Sequence, residues 1–310
     1  MSSTRQESFA HRIRKRVESL SLVHDFGPEK RVVFRHEGNQ SLLLPHTPFF
    51  RRFANNGLEV WRKQQFFQRP NHEVVLRTVV HHLYEKGAVS RHRSIIDIGS
   101  WIGDNALVWA KTLEKPAVVH AVDPSAENIE FAQSVASLNC ISNIKWYEAV
   151  CADSNNQAVG YVGNLDHASF FVTNADNAGL RTRTLDAVIG PESVGTIGLM
   201  HVDVEGFELA VLRGSHKILS ESRPIILFEG HLREQDVVVE TLDYLQERGY
   251  QTFMLNEVLP GCNLDCRNFL SAPEPRVSEI TDALEGLRSP IDSAFPAALG
   301  PPLLSVVPSR

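Results

Sequence analysis

The chain has little of what marks most special classes of protein. Only four of its 310 residues are cysteine, Cys140, Cys151, Cys262 and Cys266, too few and too scattered for a disulfide scaffold at this length. The pair in GCNLDCRN lacks the second pair or the spaced histidines that a structural zinc site requires, so it reads as a turn with incidental cysteines. No apolar run approaches the roughly 18 residues that would span a bilayer, and the basic start MSSTRQESFAHRIRKRVESL has no apolar stretch for a secretory signal. A cytoplasmic location is therefore expected. Charge of neither sign dominates: the formal net charge of -6 gives no global pull toward nucleic acid or anionic membrane. Internal repeats are absent too.

What is present fits an ordinary globular protein. Hydrophobic residues at 43% and charged residues at 22% can build a full core, and the length suits one elaborated domain. From Arg91 onward, β-branched runs alternate with helical segments. RSIIDIGS, AVVHAVDP, IKWYEAVCAD, TIGLMHVDVE and RPIILFEG read as strands, followed by YQTFMLN and RNFLSAP. Between them, a helix from near Asp104 through NALVWAKTLE, SAENIEFAQSVASLN with Ser125 as N-cap, GFELAVLRGSHKILSES, and EQDVVVETLDYLQERG ending at Gly249 read as helices. SNNQAVGYVGNLDHASFFVTN supplies edge strands or a hairpin. This order predicts an α/β fold, a mostly parallel sheet covered on both faces. Residues 1–90 read as an N-terminal extension, with a small hairpin in RVVFRHEGNQSLLLP and a helix in NHEVVLRTVVHHLYEKG that packs on the sheet. Residues 91–273 form the core. The tail 274–310, rich in proline, is expected to be loose apart from a short helix around Ile280–Leu287.

IIDIGSWIGDNA places Gly99 and Gly103 at a strand-to-helix turn behind Asp97, where glycine lets the backbone approach a ligand. About twenty residues further on, the next strand ends in Asp123, where sheet proteins hold the ribose of an adenosine cofactor. GSWIG lacks the G-x-G-x-x-G spacing that seats a pyrophosphate. A cofactor without pyrophosphate fits better than a nicotinamide or flavin dinucleotide. Asp153 has two readings, a contact to the adenine amine or a turn former before SNN. Trp101 either covers the cofactor or is a loop aromatic.

The stretches IIDIGSWIGDNA, HAVDPSAENIEFAQ, RTRTLDAV, HVDVEGFELAVLRG, PIILFEG and NFLSAP, in this order over roughly residues 70–273, resemble the FkbM family of S-adenosylmethionine-dependent methyltransferases. DIGSWIG alone is generic; the combination is specific. The resemblance implies a class I, Rossmann-like fold with a seven-stranded sheet whose last strand is antiparallel, with S-adenosylmethionine over the first strands. It assigns Asp97, Gly99, Ser100 and Gly103 to the cofactor loop, Asp123 to the ribose, where the family more often has Glu, and Asp153 to the adenine. Relatives mostly methylate hydroxyl oxygens of sugars, glycolipids and polyketides. His201, before the D-V-E-G run, departs from the pattern and is either an added base or a packing residue.

In HVDVEGFELAVLRG, alternation puts His201, Asp203 and Glu205 on one side of a strand, with the carboxylates at its C-terminal end. LFEGH ends the neighbouring strand and brings Glu229 and His231 to the same rim. Asp203, Glu205, Glu229 and His231 are therefore the expected acceptor site, with His231 or Asp203 as base and the carboxylates orienting substrate hydroxyls. A divalent ion such as magnesium, held by Asp203, Glu229 and His231, is the less favoured variant. Glu208 reads as a helix-dipole residue, and for Glu205 the dipole role and the site role stand open together. Arg181 and Arg183 read as surface arginines, and HRIRKR with the pair at 51–52 as a local basic patch. The competing functions are a nicotinamide-dependent oxidoreductase and a catalytically silent cofactor-binding module; RNA as acceptor is a minor variant. The partner expected is a small-molecule or glycan acceptor, and the sequence leaves the oligomeric state open.

Overall fold

The computed structural model describes residues 22–26, 29–36, 40–44, 74–162, 169–172, 180–231, 235–257, 266–285, 287 and 299–307. Three N-terminal strands, β1 (Leu22–Phe26), β2 (Glu29–His36) and β3 (Gln40–Leu44), pair antiparallel. The basic stretches near the N-terminus and at 51–52, and Cys262, lie outside the described residues.

Helix α1 (Val74–Glu85) leads into the main sheet. Its strands are β4 (Ser94–Ile98), β5 (Val119–Asp123), β6 (Ile144–Glu148), β11 (Ile197–Val202), β12 (Ile225–His231), β13 (Tyr250–Glu257), β14 (Cys266–Pro273) and β15 (Leu299–Val306). The order is β15-β13-β14-β12-β11-β4-β5-β6. β12, β11, β4, β5 and β6 run parallel, and β14 runs antiparallel between β12 and β13. This is the class I methyltransferase order with one strand added: eight strands, not seven. The eighth, β15, comes from the tail expected to be loose. Pro301 and Pro302 sit within it, which an edge strand tolerates because one side of its backbone needs no ladder partner.

Alternation along the strands divides the core. Ile95, Val119, Ala121 and Leu199 face α1, α2 (Asp104–Ala110) and α8 (Val277–Glu285), through Leu76, Val79, Val80, Trp109 and Ile280. Ile96, Ile98, Val122, Met200, Val202 and Phe228 face the other way, against α4 (Leu185–Ile189), α5 (Pro191–Val194), α6 (Glu208–Arg213) and α7 (Gln235–Gln246). Helix α3 (Ala126–Leu138) packs Phe131 and Val135 against Leu107 of α2 and Ile102 of the turn before it. Ser125 caps α3, its Oγ accepting from the Asn128 amide at 3.3 Å. Gly249, at φ 69, ends the turn after α7.

Three expected elements are shorter than the sequence suggests. Helix α2 stops at Ala110, where Lys111 and Thr112 turn their amides to the carbonyls of Val108 and Trp109. The strand read over IKWYEAVCAD breaks at Ala149 into β6 and β7 (Val150–Cys151); β7 joins a second sheet, β7-β10-β8-β9, with β8 (Ala158–Val162), β9 (Ser169–Val172) and β10 (Leu180–Arg183). The helix read over GFELAVLRGSHKILSES breaks after Arg213 and resumes as a π-helical turn at Ile218–Ser222. Gly214 marks the break because a Cβ there would lie 2.0 Å from the carbonyl oxygen of Ala152. No helix among the described residues is long and apolar enough to cross a membrane.

Candidate active site

The parallel strands β4, β5, β11 and β12 end along one edge, the edge at which open sheets bind ligands. The turn after β4 is built on left-handed residues: Gly99 at φ 76, Trp101 at φ 44 and Gly103 at φ 75. Gly99 and Ser100 both donate their amides to the Val122 carbonyl, at 2.9 and 3.0 Å. A Cβ on Gly99 would lie 1.7 Å from the carbonyl oxygen of Asp203, so the turn after β4 and the turn after β11 meet backbone to backbone. That contact couples the two halves of the site.

Asp123 ends β5 as expected and is buried. Its Oδ2 accepts the Trp101 amide at 2.8 Å, and its Oδ1 accepts the Ser125 amide at 2.9 Å and Asn128 Nδ2 at 3.2 Å. The carboxylate thus fixes the glycine turn from the next strand. Ser100 is 2% exposed, and its Oγ has no hydrogen-bond partner among the described residues. An orphaned buried hydroxyl in a turn at the C-terminal edge of the sheet fits a polar cofactor. Asp153 is exposed beyond β7 and accepts from Ser154 Oγ at 3.0 Å. Asp97 lies deeper. Its Oδ1 is 2.8 Å from His201 Nδ1, both side chains are buried, and the His201 ring sits edge-on to Trp109 with centroids 5.3 Å apart. His201 therefore belongs to the core between the sheet and the α1–α2 layer, and is not at the rim with Asp203 and Glu205.

On the other side of the rim, β11 ends at Val202, paired in register with Phe228 of β12. Asp203 and Glu229 follow one step later on adjacent strands. Asp203 is half-buried and Glu229 buried. The chain then turns through Glu205 at φ 52 and Gly206 at φ 102. This conformation brings Glu205 Oε2 to 3.1 Å from His231 Nε2, with Glu205 outermost: its side chain is 30% exposed and that of His231 2%. The Glu205 contact is the main force raising His231, against burial, and the charges of Glu229, Glu205 and Glu208 add to it; the imidazole is pushed up to about 9.

Glu208 was read from sequence only as a helix-dipole residue. Its Oε1 also accepts the amides of Val204 at 3.3 Å and Gly206 at 3.0 Å, clamping the turn that carries Glu205. Burial pushes this carboxyl up to about 7, opposed by those amides and by His231. As the first residue of α6, Glu208 reaches back to amides that precede the helix, a contact no spacing in E-G-F-E announces. A cavity of about 10 Å³, room for one water, lies among Glu208, Glu229, His231 and Thr241. No three His, Cys, Asp or Glu side chains among the described residues form a metal-ligand cluster, and Asp203, Glu229 and His231 are not drawn into one. Arg181 and Arg183 donate to the carbonyls of Asn156 and Ala187 at 2.9 and 3.2 Å, outside this rim.

Comparison with known proteins identifies the core. The methyltransferase FkbM domain matches residues 97–252. Similar solved structures include a precorrin-6y C5,15-methyltransferase from Geobacter metallireducens GS-15, 12% identical over 64% of this chain and 87% of that one, with a TM-score of 0.38. A ribosomal protein L11 methylase from Lactobacillus delbrueckii subsp. bulgaricus is 16% identical over 63% of this chain and 77% of that one, with a TM-score of 0.37. The O-methyltransferase TomG from Streptomyces achromogenes, solved with S-adenosylmethionine, is 13% identical over 64% of this chain and 79% of that one, with a TM-score of 0.42. The search of curated proteins gave no match.

Proposed function

The chain belongs to the FkbM family of methyltransferases, and from that premise we propose that it methylates a hydroxyl oxygen of a sugar, glycolipid or small natural product. Family membership displaces the oxidoreductase reading. The cofactor is S-adenosylmethionine, which when bound supplies an electrophilic methyl group on its sulfonium. The turn 99–103, with Ser100 and the Asp123 that braces it, would hold that cofactor.

The observation that carries the reading is the Glu205–His231 pair, 3.1 Å apart at the ends of adjacent strands. A hydroxyl attacks a methyl group only as it loses its proton, and a positioned base accelerates that loss by about 10²–10⁴-fold. Glu205, outermost, meets the acceptor first. In the form of the pair in which His231 is neutral, Glu205 takes the hydroxyl proton and passes it to Nε2 of the buried imidazole, and the carboxylate so restored neutralises the charge that appears there. Asp203 and Glu229, at the same rim, orient neighbouring hydroxyls of a polyol; an acceptor so fixed gains from positioning alone. Glu208 keeps the turn in the conformation that makes the pair.

The test is a screen of sugars, glycolipids and small hydroxylated natural products with isotopically labelled S-adenosylmethionine, followed by location of the methyl group by NMR. Methyl on oxygen, with turnover reduced about 100-fold or more in both Glu205→Gln and His231→Gln, supports the assignment. Methyl on nitrogen or carbon would overturn it. So would full turnover in both variants, and cofactor binding with no transfer to any acceptor would favour a silent module.

A further inference from the structure

Helix α1 lies before the region matched by the family, yet it reaches the cofactor turn. Arg77, in its first turn, is 3% exposed. Its Nε donates to Asn105 Oδ1 at 2.6 Å, and its Nη2 pairs with the Asp104 carboxylate. Asp104 and Asn105 are the first two residues of α2, directly after Gly103, and both are buried. Gly103 provides no side-chain cap to this seven-residue helix. A short helix without a cap has little of its own to hold its first turn in place. The planar guanidinium, donating to two successive side chains, supplies a fixed grip from a separate element.

We propose that Arg77 is a positioning residue for the cofactor turn, so that affinity for S-adenosylmethionine depends on a helix outside the matched methyltransferase region. The proposal rests on the placement of the cofactor at residues 99–103. From the β5 side, Asp123 holds Trp101; from the α1 side, Arg77 holds Asp104 and Asn105. The two grips bracket Gly103 and hold Trp101, a non-glycine residue at φ 44 that relaxes to a commoner conformation if the turn is released. Release at the α1 end leaves the cofactor the task of ordering the turn, and affinity falls accordingly. Lysine at position 77 keeps the charge but not the two-pronged grip, which separates a geometric role from a purely electrostatic one.

The experiment is calorimetric titration of the full chain with S-adenosylmethionine and S-adenosylhomocysteine, with thermal melting of each variant beside it. Arg77→Met is expected to weaken both ligands about tenfold or more, with Arg77→Lys in between. Val80→Ala, a cavity in the same helix against the same core, is the control: it lowers the melting temperature and leaves affinity unchanged. If Arg77→Met does not fold, the double variant Arg77→Met, Asp104→Asn removes both charges and is expected to fold with weakened affinity. Wild-type affinity in a folded Arg77 variant overturns the proposal, and so does an equal loss in Val80→Ala. Asp123→Ala separates the two levels. If it weakens binding and Arg77→Met does not, the grip fails while the cofactor turn stands; if neither does, the placement of the cofactor fails and the grip with it.

Discussion

Glu208 joins stability to the site. Its carboxyl, pushed by burial from an ordinary 4.5 up to about 7, holds a proton in the folded chain that the unfolded chain has already released between those values. Stability from this group is therefore full below about pH 4.5 and is lost as pH rises through 7, a change of about 3 kcal/mol. Urea unfolding of wild type and Glu208→Gln at pH 5 and pH 8 should show a larger fall for wild type; equal falls would refute the shift. His231 is shifted in the same direction, upward, so it too keeps a proton in the folded chain. Its imidazole titrates near 9 beside Glu205, and in Glu205→Gln the midpoint should drop toward the ordinary histidine range, read from its ring protons by NMR. Gly99→Ala, which would put a Cβ 1.7 Å from the Asp203 carbonyl oxygen at φ 76, should lower the melting temperature by several degrees and abolish cofactor binding. Most of these residues were legible as a set: the carboxylates and His231 stand at strand ends in the sequence itself. For His201 the sequence offered a base or a packing residue and could not choose, because alternation tells which face a residue takes and not which helix covers that face. Glu208 was passed over because a dipole argument explained it without a partner.

At the scale of elements, the strands were read closely wherever β-branched runs met a glycine or an acidic turn, as in RSIIDIGS and RPIILFEG. Helix lengths were read less well. Apolar spacing continues through FELAVLRGSHKILS, but Gly214 is required by the Ala152 carbonyl, a contact between distant segments that periodicity does not register. The last strand was missed because PPLLSVV looks like a tail by composition; its pairing depends on the open edge of β13, which lies some forty residues earlier in the chain. β15 covers that edge and buries Leu303. Removal of residues 299–310 should therefore lower the melting temperature by about 5 °C or more and promote association through the bared strand, measured by melting and light scattering. An unchanged melt would show that β15 adds nothing to the sheet.

On the scale of the whole molecule, the fold divides the work between its strand ends. β4 and β5 shape the turn 99–103, β11 and β12 bring Glu205 to His231, and the packing of Gly99 on Asp203 joins the halves. A class I sheet was implied by the family resemblance, and the alternation of strand and helix independently supported a mostly parallel one. What sequence left open was how many elements meet at the turn 99–105, since Arg77 contacts Asp104 and Asn105 from a helix in the stretch read as an extension. The identity of the acceptor, which the proposed reading sets against Asp203 and Glu229, is a matter for product analysis. The most direct test of the central claim is the rate of methyl transfer to a hydroxylated acceptor across pH 6 to 10 in wild type and Glu205→Gln. A rate that climbs with pH and levels near 9 in wild type, and levels at lower pH in the variant, is the result expected from a His231 base raised by Glu205. A flat profile, or one that Glu205→Gln leaves in place, would contradict it.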